Sequence, residues 1–267
     1  MASENWVRSA SRTISPARID RSVPNPARVW DAMNGGRDNF EADRRVARQL
    51  VSVAPPLAQA AVAVAAFSGR LARLAGEAGV RQFLDISLGQ RFASSTYAAG
   101  RAAAPGARFV FVANDPMVLS HTRATLRSSA EAEVSCVDAD PLDIESVLRA
   151  VGGILDLSEP VAVLMTDTLI FLRDAAGVVA RLAAAVSSGS YLGVIQADEG
   201  LAPAARRWNY SFNSPVYLRG PGEVAGWFTG LDLLEPGVVE IQRWRPAPAH
   251  PERSSGLPLL GAVARKR

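Results

Sequence analysis

Five times along the chain a short apolar run is bounded by polar residues or glycine. The runs lie at 82–86, 108–112, 133–137, 161–165 and 191–195. Stretches with helical spacing follow four of them, at 94–104, 117–126, 144–151 and 175–186. Strands alternating with helices in this way predict an α/β domain with a doubly wound, mostly parallel sheet. Upstream the period is helical. A short helix is predicted over 28–40, ended by Gly35-Gly36, and a second over 41–53, where Ala42, Val46, Ala47 and Leu50 share one face. A longer helix follows over 57–78. Residues 1–27 are polar and hold Pro16, Pro24 and Pro26, which predicts an extended arm. Downstream, 231–234, 238–243 and 259–263 supply two or three further strands, and 245–258, with four prolines, reads as a surface loop. The expected organisation is an N-terminal arm and helical lid over 1–80 and a Rossmann-like core over 81–267, together one compact unit.

Composition narrows the class. Apolar residues make up 48% of the chain, ample for a core, yet no run reaches the roughly 18 residues that a membrane helix needs. Residues 1–12 lack the apolar region of a secretory signal, and the single cysteine, Cys136, rules out an intramolecular disulfide. A cytoplasmic protein with no membrane role is expected. The formal charge of +3 comes from arginines dispersed among acids, with Lys266 the only lysine. That dispersal argues against nucleic-acid binding, which clusters its basic residues. One cysteine and two distant histidines, His121 and His250, form no metal pattern.

In an open parallel sheet, ligands bind beyond the carboxyl ends of the strands. That rule selects Asp85, Ser87 and Gly89 after the first strand, and Asn114 and Asp115 after the second. It adds Asp138 and Asp140 after the third, and Thr166 and Asp167 after the fourth. Such residues accept hydrogen bonds from hydroxyls and amines; they are also common helix caps. A second concentration of polar groups surrounds Gly35-Gly36: Asp31, Asn34, Arg37, Asp38, Asn39, Asp43 and Arg44. It is read either as a lid over the sheet edge or as a salt-bridged cap between two helices. The segment 206–220, with Trp208, Tyr210, Phe212 and Tyr217, is read as a substrate-cavity wall, with a partner interface as the alternative.

The run from Trp30-Asp31 through Asn34-Gly35-Gly36-Arg37-Asp38-Asn39-Phe40 to Asp43-Arg44 resembles the YDYLLGGKDNF…DR signature of the actinobacterial S-adenosyl methyltransferase-like family. The resemblance continues through RQFLDI (81–86), NDPMVLSHTRATL (114–126), PVAVL (160–164), SGSYLG (188–193), LDLLEPGVV (231–239) and RWRP (243–246), covering roughly 15–267. It implies a seven-stranded Rossmann-like methyltransferase fold, a helical lid that includes the substrate-side residues Asp31, Asn34, Arg37, Asp38 and Asn39, and an S-adenosylmethionine (SAM) pocket. The pocket would be made from Asp85, Ser87, Gly89, Asn114, Asp115, Asp138 and Thr166. The sequence departs from the family at the first loop, where LDIGTGLPT is replaced by LDISLGQRF, placing Ser87 at a glycine position. It departs again after the second strand, where VDNDP becomes VANDP: Ala113 replaces the acid that would hold the ribose hydroxyls. Two histidines that similar proteins place near the pocket appear as Tyr97 and Ile170.

These features imply an enzyme acting on a small molecule in actinobacterial specialised metabolism, repurposed to SAM-independent chemistry: base-assisted intramolecular substitution or ring closure, such as aziridine formation. Asp115, Asp138, Asp167 and Tyr210 are the candidate catalytic residues. A SAM-dependent methyltransferase of a small molecule is the alternative, with Tyr210, His121 or Asp167 as base. A non-catalytic partner protein is the third reading, and either a homodimer or a hetero-partner subunit is compatible with the chain.

Overall fold

A computed structural model describes residues 19–88, 90–127, 133–212, 215–246 and 256–267. The chain runs α1 (Pro26–Met33), α2 (Glu41–Val53), α3 (Ala60–Glu77), β1 (Gln82–Ile86), α4 (Gln90–Ala103), β2 (Arg108–Ala113), α5 (Pro116–Arg127), β3 (Val134–Asp138), α6 (Ile144–Val151), β4 (Val161–Met165), α7 (Ala175–Ala185), β5 (Tyr191–Ala197), α8 (Ala202–Ser211), α9 (Pro221–Gly226), β6 (Asp232–Leu233), β7 (Val239–Glu240) and β8 (Leu259–Arg265). The sheet order is β3-β2-β1-β4-β5-β8-β6, with β7 also paired to β8. The five strands β1 to β5 are parallel, and β8 is inserted antiparallel beside β5. The expected Rossmann-like topology is present, with a two-residue β7 as an eighth strand. Order reverses between β1 and β4, which puts the ligand-binding crevice at their carboxyl ends.

The parallel strands are mostly apolar because β1, β4 and β5 are buried on both faces. On one face Phe83, Phe109, Phe111, Ala162 and Leu164 join residues of α2, α3 and α8. Phe83 and Phe109 stack there with centroids 4.7 Å apart. On the other, Leu84, Ile86, Val110, Val112, Val163 and Met165 meet α6, α7 and α9. Helix α3 comes so near β5 that a Cβ on Gly193 would overlap the Leu71 side chain. Although α3 falls within the predicted arm-and-lid segment, it packs as a layer of the sheet.

The predicted helix over 28–40 stops earlier, at Met33. Asn34 caps it, and Gly35 at φ +67° turns the chain away. The long helix predicted over 57–78 begins as a 3-10 turn, Pro55–Gln59, because consecutive prolines start it. Helices α8 and α9 are additional to the predicted set. Within the described residues, the stretch leading into α1 is anchored by a buried ion pair: Arg28 Nε donates to Asp43 Oδ2 at 3.0 Å. Arg28 also donates to the carbonyls of Asp20 and Val23, and Asp43 accepts the amides of Asn25 and Phe40. Each charge is thus hydrogen-bonded beyond the pair itself, the condition under which a buried pair is tolerated. No helix among the described residues is long and apolar enough to cross a membrane.

Candidate functional site

The carboxyl edge of the sheet carries two environments. The first is the end of β1. Asp85 is completely buried and accepts the Thr96 hydroxyl at 2.9 Å on Oδ2, while its Oδ1 has no hydrogen-bond partner. Burial pushes its carboxyl up to about 6, and the Thr96 and Ser87 hydroxyls oppose that rise. Thr166, next to this seam at the end of β4, is also buried, with its hydroxyl lacking a partner. The second environment is a cavity of about 90 Å³ over the ends of β4 and β5. Trp30 of α1, Leu50 of α2, Phe171, Trp208 of α8, Val216 and Leu218 contribute to its walls. Asp167 is the only charged residue among the described ones that line it. Its Oδ1 accepts the Leu88 amide at 2.8 Å, which ties the loop after β4 to the loop after β1 and fixes the carboxylate at the wall.

The other strand-end acids are drawn apart. Asp115 Oδ1 accepts the amides of Met117 and Val118, capping α5. Asp138 is exposed at the end of β3, in register with Ala113. Asn114 donates to Asp140 at 3.2 Å on the surface. Gly89 and His250 lie outside the described residues. Tyr210, expected among the catalytic groups, is 87% exposed. It stands on α8 two positions beyond the inward-facing Trp208, about 200° round the helix, and is not assembled with Asp167. Of the aromatic segment at 206–220, Trp208, Val216 and Leu218 line the cavity, and Phe212 stacks on Trp208 at 4.2 Å. Ile170 is on the cavity wall, whereas Tyr97 packs edge-on against Phe109, its hydroxyl buried and without a partner.

The Gly-Gly region has the order of a cap. Asp31 Oδ2 accepts the Asp38 amide and the Asn39 side-chain amide. Asn34 donates to the Trp30 carbonyl, Arg44 donates to Asn39, and Arg37 points into solvent. A Cβ on Gly36 would overlap the Asp31 carboxylate, so only glycine fits there. Asp38 reaches across to His121 on α5 at 3.2 Å. The same helix pair that carries this loop roofs the cavity through Ala27, Trp30, Met33 and Leu50. The cap and the roof are therefore one structure.

A model of the S-adenosyl methyltransferase family matches residues 12–267. The chain belongs to that family. Two solved structures agree closely with it. One is a DUF574 family protein from Streptomyces avermitilis, 35% identical, with 94% of this chain and all of that one covered at a TM-score of 0.84. The other is a proposed methyltransferase from Thermobifida fusca, 34% identical, covering 96% and 99% at the same TM-score. No curated protein matches the chain. Membership makes SAM the cofactor to test against the residues present. At the end of β2, Ala113 is buried in an apolar cluster with Ala27 of α1, Val118 and Leu119. At the end of β1, Asp85 retains a buried oxygen able to accept a further hydrogen bond. No group of three or more metal-ligating side chains occurs among the described residues.

Apart from the segment 206–220, the apolar lining is hard to see in the sequence because its members come from segments far apart. The inward positions of α8, Ala204, Ala205 and Trp208, are spaced for a helix and are the one available signal.

Proposed function

We propose that this member of the methyltransferase family catalyses base-assisted substitution within a small molecule bound in the cavity, without help from SAM. The observation that carries the reading is Asp167, a carboxylate held by the Leu88 amide and the one charged side chain among the described residues lining the cavity over the ends of β4 and β5. Support also comes from Ala113: an apolar cluster at the end of β2 does not fit a ribose diol, and Asp115 is engaged as a helix cap. Asp167 would take the proton from a substrate nitrogen or oxygen. That atom's lone pair would then form a bond to a carbon of the same molecule, whose leaving group departs with the old bonding pair. Holding the two reacting centres in line would supply most of the acceleration, since ring closure is limited by alignment. Aziridine formation is one such reaction. A setting in actinobacterial specialised metabolism belongs to the same proposal, supported by the sources of the two similar structures.

The second reading, a SAM-dependent methyltransferase of a small molecule, is favoured by family membership and by the partnerless Asp85 oxygen, which could receive an ammonium donor. Calorimetric titration with SAM and S-adenosylhomocysteine separates the two. The proposal expects no binding at micromolar concentrations. Micromolar affinity accompanied by a methylated product would replace it with the second reading.

A further inference from the structure

We infer that the cavity recognises its ligand by an uncharged hydrocarbon group about one ring in size, and that Ala204 and Ala205 set the room for it. The inference rests on the cavity being the substrate site, takes nothing from the identity of the base, and names the class of group the substrate carries there. Three observations carry it. The first is the chemistry of the wall. Of the described residues lining the cavity, all but Asp167 are apolar or aromatic. Asp167 is engaged inside the protein, its Oδ1 accepting the Leu88 amide at 2.8 Å. An ionised ligand group would lose its water against such walls, at a high cost in free energy. Hydrocarbon gains there in proportion to the area it covers.

The second observation is that the wall is braced. Phe212 stacks on the Trp208 indole at 4.2 Å, and Phe171 meets the same indole at 5.5 Å. The segment bearing Ile170 and Phe171 is tied down from behind. The buried Arg219 guanidinium donates to the carbonyls of Leu169, Leu172 and Arg173, and the Tyr217 amide donates to that of Ile170. A site held in shape before its ligand arrives binds at a lower ordering cost. The third observation is size. A volume of about 90 Å³ suits one ring or a short branched chain, and a fused pair of rings exceeds it.

Two alanines make this room. Ala204 and Ala205 lie on the inward face of α8, one turn before Trp208, and both line the cavity. A void lined by hydrocarbon forfeits packing contacts and lowers stability. Leucine, a better-filling side chain and a good helix former, would close it from either position. The braced walls and the small residues on α8 thus keep open a space that a core would fill, as a ligand site requires.

The test titrates four probes into the full chain by calorimetry: toluene, naphthalene, benzoate and benzylamine. Toluene should bind at least ~10-fold more tightly than either charged ring, because the charge would be desolvated without return. Naphthalene should bind more weakly than toluene despite its larger apolar area. Ala204→Leu should weaken toluene at least ~10-fold by occupying its space. In case that variant unfolds, intermolecular NOEs in the wild type from the toluene methyl group to the Trp208 and Phe171 rings give an independent reading. No binding of toluene, tighter binding of benzylamine, benzoate or naphthalene, undiminished toluene affinity in the folded variant, or NOEs only to surface residues would each overturn the inference. Toluene binding alongside SAM-dependent methylation would sink the proposed function and leave this assignment standing. Loss of the hydrocarbon preference without SAM binding would do the reverse.

Discussion

Asp85 allows a quantitative test of how the β1 end is built. Its carboxyl is pushed from an ordinary 3.8 up to about 6 by complete burial. The folded chain therefore holds a proton there that the unfolded chain has already released. Between about pH 4 and pH 6 the native state binds more protons, so stability falls as pH rises through that window and is flat above it for this group. A gap of about two pH units corresponds to roughly 3 kcal/mol of lost stability at pH 8. Asp85→Asn removes the ionisation but places an amide where Oδ1 has no partner, at a pH-independent cost of about 1–3 kcal/mol. The absolute change at pH 8 therefore lies anywhere from near neutral to about 2 kcal/mol stabilising. The difference between the two pH values is free of the amide cost. Relative to wild type, the Asp85→Asn variant should gain about 2–3 kcal/mol on going from pH 4 to pH 8. Urea unfolding of both proteins at the two pH values measures this directly. Parallel behaviour, with the difference changing by less than about 0.5 kcal/mol, would mean that Asp85 is solvated or paired and that the desolvation argument is wrong.

Three further outcomes follow from the packing. Gly36→Ala should destabilise the lid by about 2–3 kcal/mol, because the new Cβ displaces the Asp31 carboxylate and with it the bonds to the Asp38 amide and Asn39; Gly35→Ala, with open space but φ +67°, should cost only about 1–2 kcal/mol in the same urea titration. Arg219→Met should cost about 3 kcal/mol or more, since the buried guanidinium donates to the carbonyls of Leu169, Leu172 and Arg173; faster hydrogen exchange at the Tyr217 amide, which bonds the Ile170 carbonyl, would register the loosened cavity wall. Ala113→Asp should destabilise the chain by about 2 kcal/mol or more by setting a carboxylate among Ala27, Val118 and Leu119, and thermal unfolding without SAM that matches wild type would show that this cluster is not closed.

The parallel strands were legible because burial on both faces of β1, β4 and β5 leaves short, mostly apolar runs at regular spacing along the chain. The order of β8 before β6 was not, since it depends on which edge the tail returns to. Helix α8 was hidden by its composition: APAARRWNYS buries only Ala204, Ala205 and Trp208, so its apolar face is too thin to stand out. For the site, residue type at strand ends identified the right edge of the sheet. It did not say which acid would face a cavity. Asp115 and Asp167 look alike in sequence, yet one lies a single residue before a helix and caps it, while the other meets the Leu88 amide across the switch point. That distinction lives in the path of the following loop, which no local pattern records.

Helix α1 connects the two environments at the sheet edge. Ala27 belongs both to the cluster over Ala113 and to the cavity lining, and Trp30 and Met33, on the same short helix, complete the roof. A larger, charged side chain at 113 would need α1 to lift, and a lifted α1 would widen the opening of the cavity. Water there would screen Asp167 and weaken any interaction it makes, since the strength of a buried charge depends on the low dielectric around it. The packing at the end of β2 and the lining of the cavity therefore share one helix. The small side chain at 113 is what lets it settle, because a buried alanine leaves room for Ala27 at van der Waals distance. The packing at residue 113 therefore bears on the cavity lining as well, through Ala27.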